Sequence, residues 1–141
     1  MAAALSSGGV VALGGVLGAG KTRLVQAIAR ASGVDPRDVV SPTFVLMHEY
    51  HGAQTIYHID AYRLHNADEF LQMGGDEAFG GECLVLIEWA ERVAACLPDE
   101  RLQVSIRVLS DDVREFVIAA HGPMYEEVVK RVQRALASSL R

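Results

Sequence analysis

The sequence has few cysteines, no net positive charge and no basic leader segment. Its only cysteines, Cys83 and Cys96, lack the spacing of a metal-binding pair, so we interpret them as reduced thiols. The net charge of −5 argues against a broad phosphate-neutralising surface. Residues 1–19 are uncharged, but they lack the basic start of a signal peptide and end inside a glycine-rich motif. We therefore predict a cytoplasmic protein without a membrane segment.

The overall composition is that of a globular chain. Half of the 141 residues are apolar and 22% are charged. The length is close to the commonest domain size and is sufficient for a sizeable core. No repeat or low-complexity tract divides the sequence, so we predict one domain over residues 1–141.

A phosphate-binding loop signature stands near the start of the chain. An apolar run at 10–13 leads into Gly15-x-x-x-x-Gly20-Lys21-Thr22, and a helical pattern follows at once. Glycines allow the main chain to direct several N–H groups at one anion, and the helix adds its positive dipole end. Lys21 is expected to reach the β- and γ-phosphates, and the Thr22 hydroxyl to bind Mg²⁺. The predicted nucleotide-binding residues are Gly15, Leu17, Gly18, Ala19, Gly20, Lys21 and Thr22.

The apolar run at 83–87 is the second strong signal. Its unbroken hydrophobicity predicts a central parallel strand that is covered on both faces. Glu88 follows this run, at the position where phosphate-loop NTPases place their second Mg²⁺-associated acid. We predict Thr22 and Glu88 as the metal-site residues, and we interpret Trp89 as a packing residue.

Two further patterns leave alternatives open. Thr43 follows Ser41-Pro42 after the phosphate loop and its helix, which suits either a switch threonine or an ordinary strand entry. His58 and Asp60 share a strand face by the two-residue period. They suit a metal pair, although a buried histidine beside a functional carboxylate is the interpretation that we favour. Asp60 itself closes a strand, where ligands of α/β folds bind.

The remaining pattern completes an α/β prediction. Apolar and polar residues alternate over 101–108, a turn leads into a strand at 114–120, and a final helix follows Gly122-Pro123. We predict a three-layer sandwich like that of phosphate-loop NTPases, with a parallel centre and antiparallel hairpins added to it.

Together these motifs resemble the bacterial TsaE (YjeE) family, the ATPase component of tRNA threonylcarbamoyladenosine synthesis. The resemblance covers residues 14–98 well and 114–122 more loosely. It is carried by the phosphate loop, Ser41-Pro42-Thr43-Phe44, Glu49-Tyr50, Tyr57-His58-Ile59-Asp60-Ala61-Tyr62-Arg63-Leu64, Gly75-Asp76-Glu77 and Ile87-Glu88-Trp89.

The resemblance implies a weak, Mg²⁺-dependent ATPase that works with the partners TsaB and TsaD. These partners carry out threonylcarbamoyl transfer to adenosine 37 of tRNAs that read codons beginning with A, so tRNA is involved indirectly. The family pattern assigns the phosphates and Mg²⁺ to Lys21 and Thr22, with Glu88 as second metal-site residue. It matches Asp60 to an aspartate needed for activity and Thr43 to the switch-like segment. We expect Asp60 to orient either the attacking water or the water shell of the metal.

The chain departs from the family at three places. Val16 stands where the family usually has an acid, and Ala90 replaces a proline after Glu88-Trp89. The segment before the loop is shorter than the family's leading helix, which helps to hold adenine. These departures predict weak nucleotide affinity with intact phosphate and metal chemistry. Arg63 matches a family arginine beside the site.

Two other functions remain open at the level of sequence. A small-molecule kinase of the same loop class would need an acceptor pocket and commonly an arginine-rich lid. A non-catalytic, nucleotide-gated assembly module would bind ATP with negligible turnover. A GTPase is disfavoured because the sole asparagine, Asn66, lies outside any guanine-reading motif.

Overall fold

The computed structural model describes residues 1–40 and 45–141. Within these ranges the chain forms a six-stranded sheet, three α-helices and three short 3₁₀ segments. The strands are β1 (Gly9–Gly14), β2 (Met47–His51), β3 (Thr55–Asp60), β4 (Leu84–Glu88), β5 (Arg101–Val108) and β6 (Arg114–His121). The helices are α1 (Lys21–Ala31), α2 (Ala67–Gln72) and α3 (Pro123–Ser139). The 3₁₀ segments are Ala2–Leu5, Glu77–Gly80 and Ala90–Cys96.

The sheet has the strand order β2-β3-β4-β1-β5-β6. The four inner strands are parallel, whereas β2 pairs antiparallel with β3 and β6 pairs antiparallel with β5. All five residues of β4 are buried, as expected for a strand covered on both faces. The predicted parallel centre with antiparallel hairpins is confirmed.

Helical segments cover both faces of the sheet and complete three layers. One core contains Val11 and Leu13 of β1 with residues of α1, α3 and the first 3₁₀ segment. The other core contains Val10 and Ala12 with residues of α2 and the third 3₁₀ segment. Neighbouring side chains of a strand point to opposite faces, so a single strand supplies both cores. The second layer is built from short helical pieces.

The structure also refines the predicted element bounds. The strand expected from Thr43 begins at Met47, and Thr43 itself lies outside the described residues. Helix α2 begins after Asn66, whose side chain accepts a hydrogen bond of 3.0 Å from the Glu69 amide. Among residues 1–40 and 45–141, no helix has the length and hydropathy needed for a bilayer crossing.

Candidate active site

The loop between β1 and α1 lies at the carboxyl edge of the sheet, and glycines determine its shape. Gly15 has a φ of 143°, and a Cβ there would lie 2.7 Å from the Ile106 carbonyl oxygen, so a larger residue would collide with β5. Gly20 has a φ of 112° and precedes the first turn of α1, where it offers no capping side chain. The first turn is therefore left without a side-chain acceptor, which suits an anion.

Lys21 is buried beneath this loop, with only 4% of its surface exposed. Its Nζ donates to the carbonyl oxygens of Gly15 at 2.6 Å and Val16 at 3.0 Å. The ammonium also lies 3.9 Å from the centre of the Trp89 ring. Burial lowers the pKa of Lys21, and the nearby carboxylates of Glu88, Glu91 and Asp60 oppose that shift.

Thr22 and Glu88 meet at the junction of α1 and β4. The Thr22 hydroxyl lies 2.8 Å from Oε1 and 2.9 Å from Oε2 of Glu88, whose residue is 3% exposed. Hydroxyl and carboxylate oxygens are the hard ligands that Mg²⁺ takes from proteins. In the described part of the chain no cluster of three His, Cys, Asp or Glu residues has metal-holding geometry. The two donors that are present, the Thr22 hydroxyl and the Glu88 carboxylate, suit Mg²⁺, which usually takes one or two protein ligands together with phosphate oxygens and water.

Asp60 lies beside Glu88, because the register of β3 and β4 pairs the two residues. Its Oδ1 accepts a hydrogen bond of 2.9 Å from the Tyr62 amide. Burial is the main cause of a raised pKa at Asp60; the Tyr62 amide opposes the shift and the Glu88 carboxylate adds to it. Asp60 is therefore a partly buried carboxyl group that a main-chain amide holds beside Glu88.

His58 is fully buried, and its Nε2 lies 2.8 Å from Glu88 Oε1. The favoured interpretation places a buried histidine beside a functional Asp60; the structure shows the buried histidine, and the functional role of Asp60 stays a prediction. The carboxylate that His58 contacts is Glu88 of the neighbouring strand, and Asp60 on its own strand bonds Tyr62 instead.

Two clefts flank the loop and share Gly18, Gly20 and Arg23. The acidic cleft, of about 330 Å³, is lined by Lys21, Thr22, Asp60, Tyr62, Glu88 and Trp89. The hairpin cleft, of about 500 Å³, lies towards the β5–β6 turn and is lined by Arg23, Leu24, Ala27, Asp111, Arg114 and Phe116. A ligand held on the loop can therefore extend in two directions of different chemistry.

The predicted loop residues divide between these clefts. Leu17 reaches the acidic cleft and Ala19 the hairpin cleft, and Gly15 packs against β5. Thr43 lies outside the described residues, so its role stays a prediction. Arg63 is exposed one residue beyond Tyr62, and its role likewise stays a prediction.

Sequence reasoning missed the part that Trp89 plays. Its φ of 56° is the only positive value at a non-glycine residue in the described ranges, and its ring packs 4.9 Å from that of Tyr62. Trp89 is a packing residue, as interpreted, but its ring packs against the Lys21 ammonium and lines the acidic cleft. The sequence feature that could have indicated this role is the position of Trp89 directly after Glu88. No motif marks Phe116 and Arg114 as residues of the hairpin cleft.

Comparison with known proteins gives consistent matches. The family model described as threonylcarbamoyl adenosine biosynthesis protein TsaE matches residues 1–116. A tRNA threonylcarbamoyladenosine biosynthesis protein TsaE of Treponema pallidum is 44% identical over 115 residues, which are 82% of this chain and 84% of that protein. The protein of the same name from Bacillus subtilis is 41% identical over 134 residues, 94% of this chain and 83% of that protein. The crystal structure of Bacillus subtilis YdiB matches with a TM-score of 0.71 and 33% identity, covering 95% of this chain and 86% of that one.

Proposed function

Because the chain belongs to the TsaE family of tRNA threonylcarbamoyladenosine biosynthesis proteins, we propose that it is a Mg²⁺-dependent ATPase of that pathway. In this proposal it acts in the cytoplasm with TsaB and TsaD, which form the threonylcarbamoyl group on adenosine 37 of tRNAs reading codons that begin with A. Its own turnover is weak and rises when the partners bind. The observation that carries the proposal is the contact of Thr22 with Glu88, at 2.8 and 2.9 Å, beneath the phosphate loop.

The phosphates are held by the loop and by Lys21. Loop amides and the start of α1 supply fixed partial positive charge, and Lys21 adds a full one. Its ammonium is held by the carbonyl oxygens of Gly15 and Val16, so the charge lies close to the loop. This preorganisation reduces the rearrangement needed when charge builds up on the transferred phosphoryl group.

Thr22 and Glu88 are the residues that would hold Mg²⁺. A Mg²⁺ ion held by these residues would neutralise part of the phosphate charge. Asp60 accepts a hydrogen bond from the attacking water and so directs it towards the γ-phosphate. Its Tyr62 contact fixes one carboxylate oxygen, which leaves the other for this task.

The nucleoside half of ATP extends into the hairpin cleft. The acidic cleft lies on the Glu88 side of the loop and suits the γ-phosphate, so the base and ribose occupy the other side. Phe116, which is 50% exposed, offers an aromatic surface to the base, and Arg23 and Arg114 offer donors to the ribose and α-phosphate.

The experiment that tests the proposal is ATP turnover of the full chain alone, with TsaB, with TsaD and with both. We expect the rate to be lowest alone and highest with both partners. Equal rates in all four mixtures would contradict partner activation. Transfer of the γ-phosphate to a metabolite in preference to water would support the kinase alternative, and negligible turnover despite tight ATP binding would support the assembly module.

A further inference from the structure

A continuous series of hydrogen bonds runs from the phosphate loop across three strands of the sheet. It begins at the Thr22 hydroxyl on Glu88 and continues from Glu88 Oε1 to His58 Nε2 at 2.8 Å. His58 Nδ1 then lies 3.1 Å from the Tyr50 hydroxyl, and that hydroxyl lies 2.8 Å from the carbonyl oxygen of Val40. Glu88, His58 and Tyr50 are 3%, 0% and 3% exposed, so water cannot replace these bonds.

The direction of the bonds follows from the chemistry of the last acceptor. A carbonyl oxygen only accepts, so Tyr50 uses its one hydrogen on Val40. Its oxygen is then an acceptor for His58 Nδ1. Both ring nitrogens of His58 are therefore engaged, and rotation of the ring would break two buried hydrogen bonds.

This buried polar series reduces the stability of a part of the core that apolar side chains could fill. Burial of a histidine beside a carboxylate costs desolvation free energy, and a well-packed apolar pair is often as stable or more so. The series starts at Thr22, which is a residue of the proposed metal site. This position indicates that the series orients the Glu88 carboxylate.

We propose that His58 and Tyr50 are positioning residues for the metal site: they hold the Glu88 carboxylate towards Thr22 and anchor it to the main chain at Val40. The inference rests on the proposed function, because it assumes that Thr22 and Glu88 bind the ion of a Mg²⁺–nucleotide complex. Hydrogen-bond partners of metal-ligating side chains typically contribute about 10- to 100-fold to metal affinity.

The test compares two buried tyrosines of the full chain. Tyr50→Phe removes the hydroxyl at the end of the series, and Tyr125→Phe is the matched control. Tyr125 is also 3% exposed, and its hydroxyl also bonds a main-chain group, the Val10 amide, at 2.8 Å. Binding of Mg²⁺ in the presence of ATP is followed by the fluorescence of Trp89, the sole tryptophan, which lines the acidic cleft.

We expect Tyr50→Phe to raise the half-saturating Mg²⁺ concentration about 3- to 10-fold, which is less than the range of about 10- to 100-fold for direct partners because Glu88 keeps its His58 contact. ATP affinity measured without Mg²⁺ should stay within about two-fold of the wild type, because the hydroxyl bonds Val40 and His58, which lie outside the phosphate loop. Tyr125→Phe should leave both values unchanged. If Tyr50 were only structural, Tyr50→Phe would behave like Tyr125→Phe: each substitution would lower the melting temperature and neither would change the Mg²⁺ affinity.

A second pair of variants tests His58 directly. His58→Ala removes both contacts and should weaken Mg²⁺ about 10- to 100-fold. His58→Gln places an amide N–H near the position of Nε2, so it should restore part of that loss while leaving Tyr50 without its partner. If Tyr50→Phe does not fold, the two His58 variants alone test whether the series positions Glu88.

The outcomes separate the inference from the function on which it rests. Wild-type protein that shows no Mg²⁺-dependent ATP binding would overturn the proposed function. Normal wild-type binding, with Tyr50→Phe equal to Tyr125→Phe and His58→Gln equal to His58→Ala, would overturn the positioning role alone.

Discussion

The two ends of the parallel strands differ in what they bury. Among the described residues four polar or charged side chains are buried. Lys21 and Glu88 lie at the carboxyl end, and His58, which pairs with Leu86 in the middle of β4, contacts Glu88 there. The fourth is Ser32, which follows α1. At the amino end the buried tyrosine hydroxyl of Tyr125 accepts a single hydrogen bond from the Val10 amide. Buried ionisable groups cost free energy unless they are fully paired. In the proposed function the carboxyl end carries that cost because its buried charges act on the nucleotide, whereas the Tyr125 contact closes the amino end with an uncharged group.

The largest effect should come from the buried ammonium. Lys21→Ala should reduce ATP turnover about 10³-fold or more, because it removes the one full positive charge of the loop from the transition state. Turnover is measured with TsaB and TsaD present. Lys130→Ala is the control, since Lys130 is the only other lysine and lies exposed on α3. Unchanged turnover of Lys21→Ala would refute the assigned site.

Asp60→Asn should reduce turnover about 10²-fold while the fold stays at least as stable. Burial raises the pKa of Asp60 above 3.8, so the folded state binds its proton more tightly than the unfolded state does. The stability contributed by this group is therefore complete below pH 3.8 and is lost as pH rises through the folded-state pKa.

Denaturant unfolding at a series of pH values tests the direction of this pH dependence of stability. Relative to the wild type, Asp60→Asn should gain stability as pH rises through that range, because the asparagine carries no charge to desolvate. A variant that becomes relatively less stable as pH rises would contradict the assigned cause of the shift.

A smaller effect is expected in the hairpin cleft. Phe116→Ala should raise the KM for ATP about 3- to 10-fold with little change in kcat, since stacking on the base contributes equally before and during the reaction. Val117→Ala is the matched control, because its exposed side chain lies on the opposite face of β6. Equal KM values for the two variants would place the base elsewhere.

The smallest effect on turnover should come from the amino end. Tyr125→Phe leaves the buried Val10 amide without its acceptor, so it should reduce the free energy of unfolding by about 1–3 kcal/mol. Turnover per folded molecule should not change. A loss of turnover at a temperature where the variant is folded would show that the two ends of the sheet are coupled.

Several features of the fold could be predicted because they depend on local pattern. The glycine spacing of 15–22 predicted the loop, the apolar run before Glu88 predicted a central strand, and the alternation over 101–108 predicted a strand with one wet face. Strand β5 does alternate between buried and partly exposed residues up to Ile106. The contacts of Trp89 could not be predicted in this way, because a single aromatic residue forms no periodic pattern that would show which surface it covers.

The sequence by itself determined the glycine-rich loop between β1 and α1, the acidic end of β4 and the α/β class, since these depend on residue types at fixed short spacings. Only the tertiary structure decided that Thr22 contacts Glu88, 66 residues away, and that His58 contacts Glu88 while Asp60 bonds Tyr62. It also decided that the β5–β6 turn forms the wall of a second cleft. The physical reason is that periodicity determines which face a side chain takes, whereas strand order and register determine which side chains meet on that face.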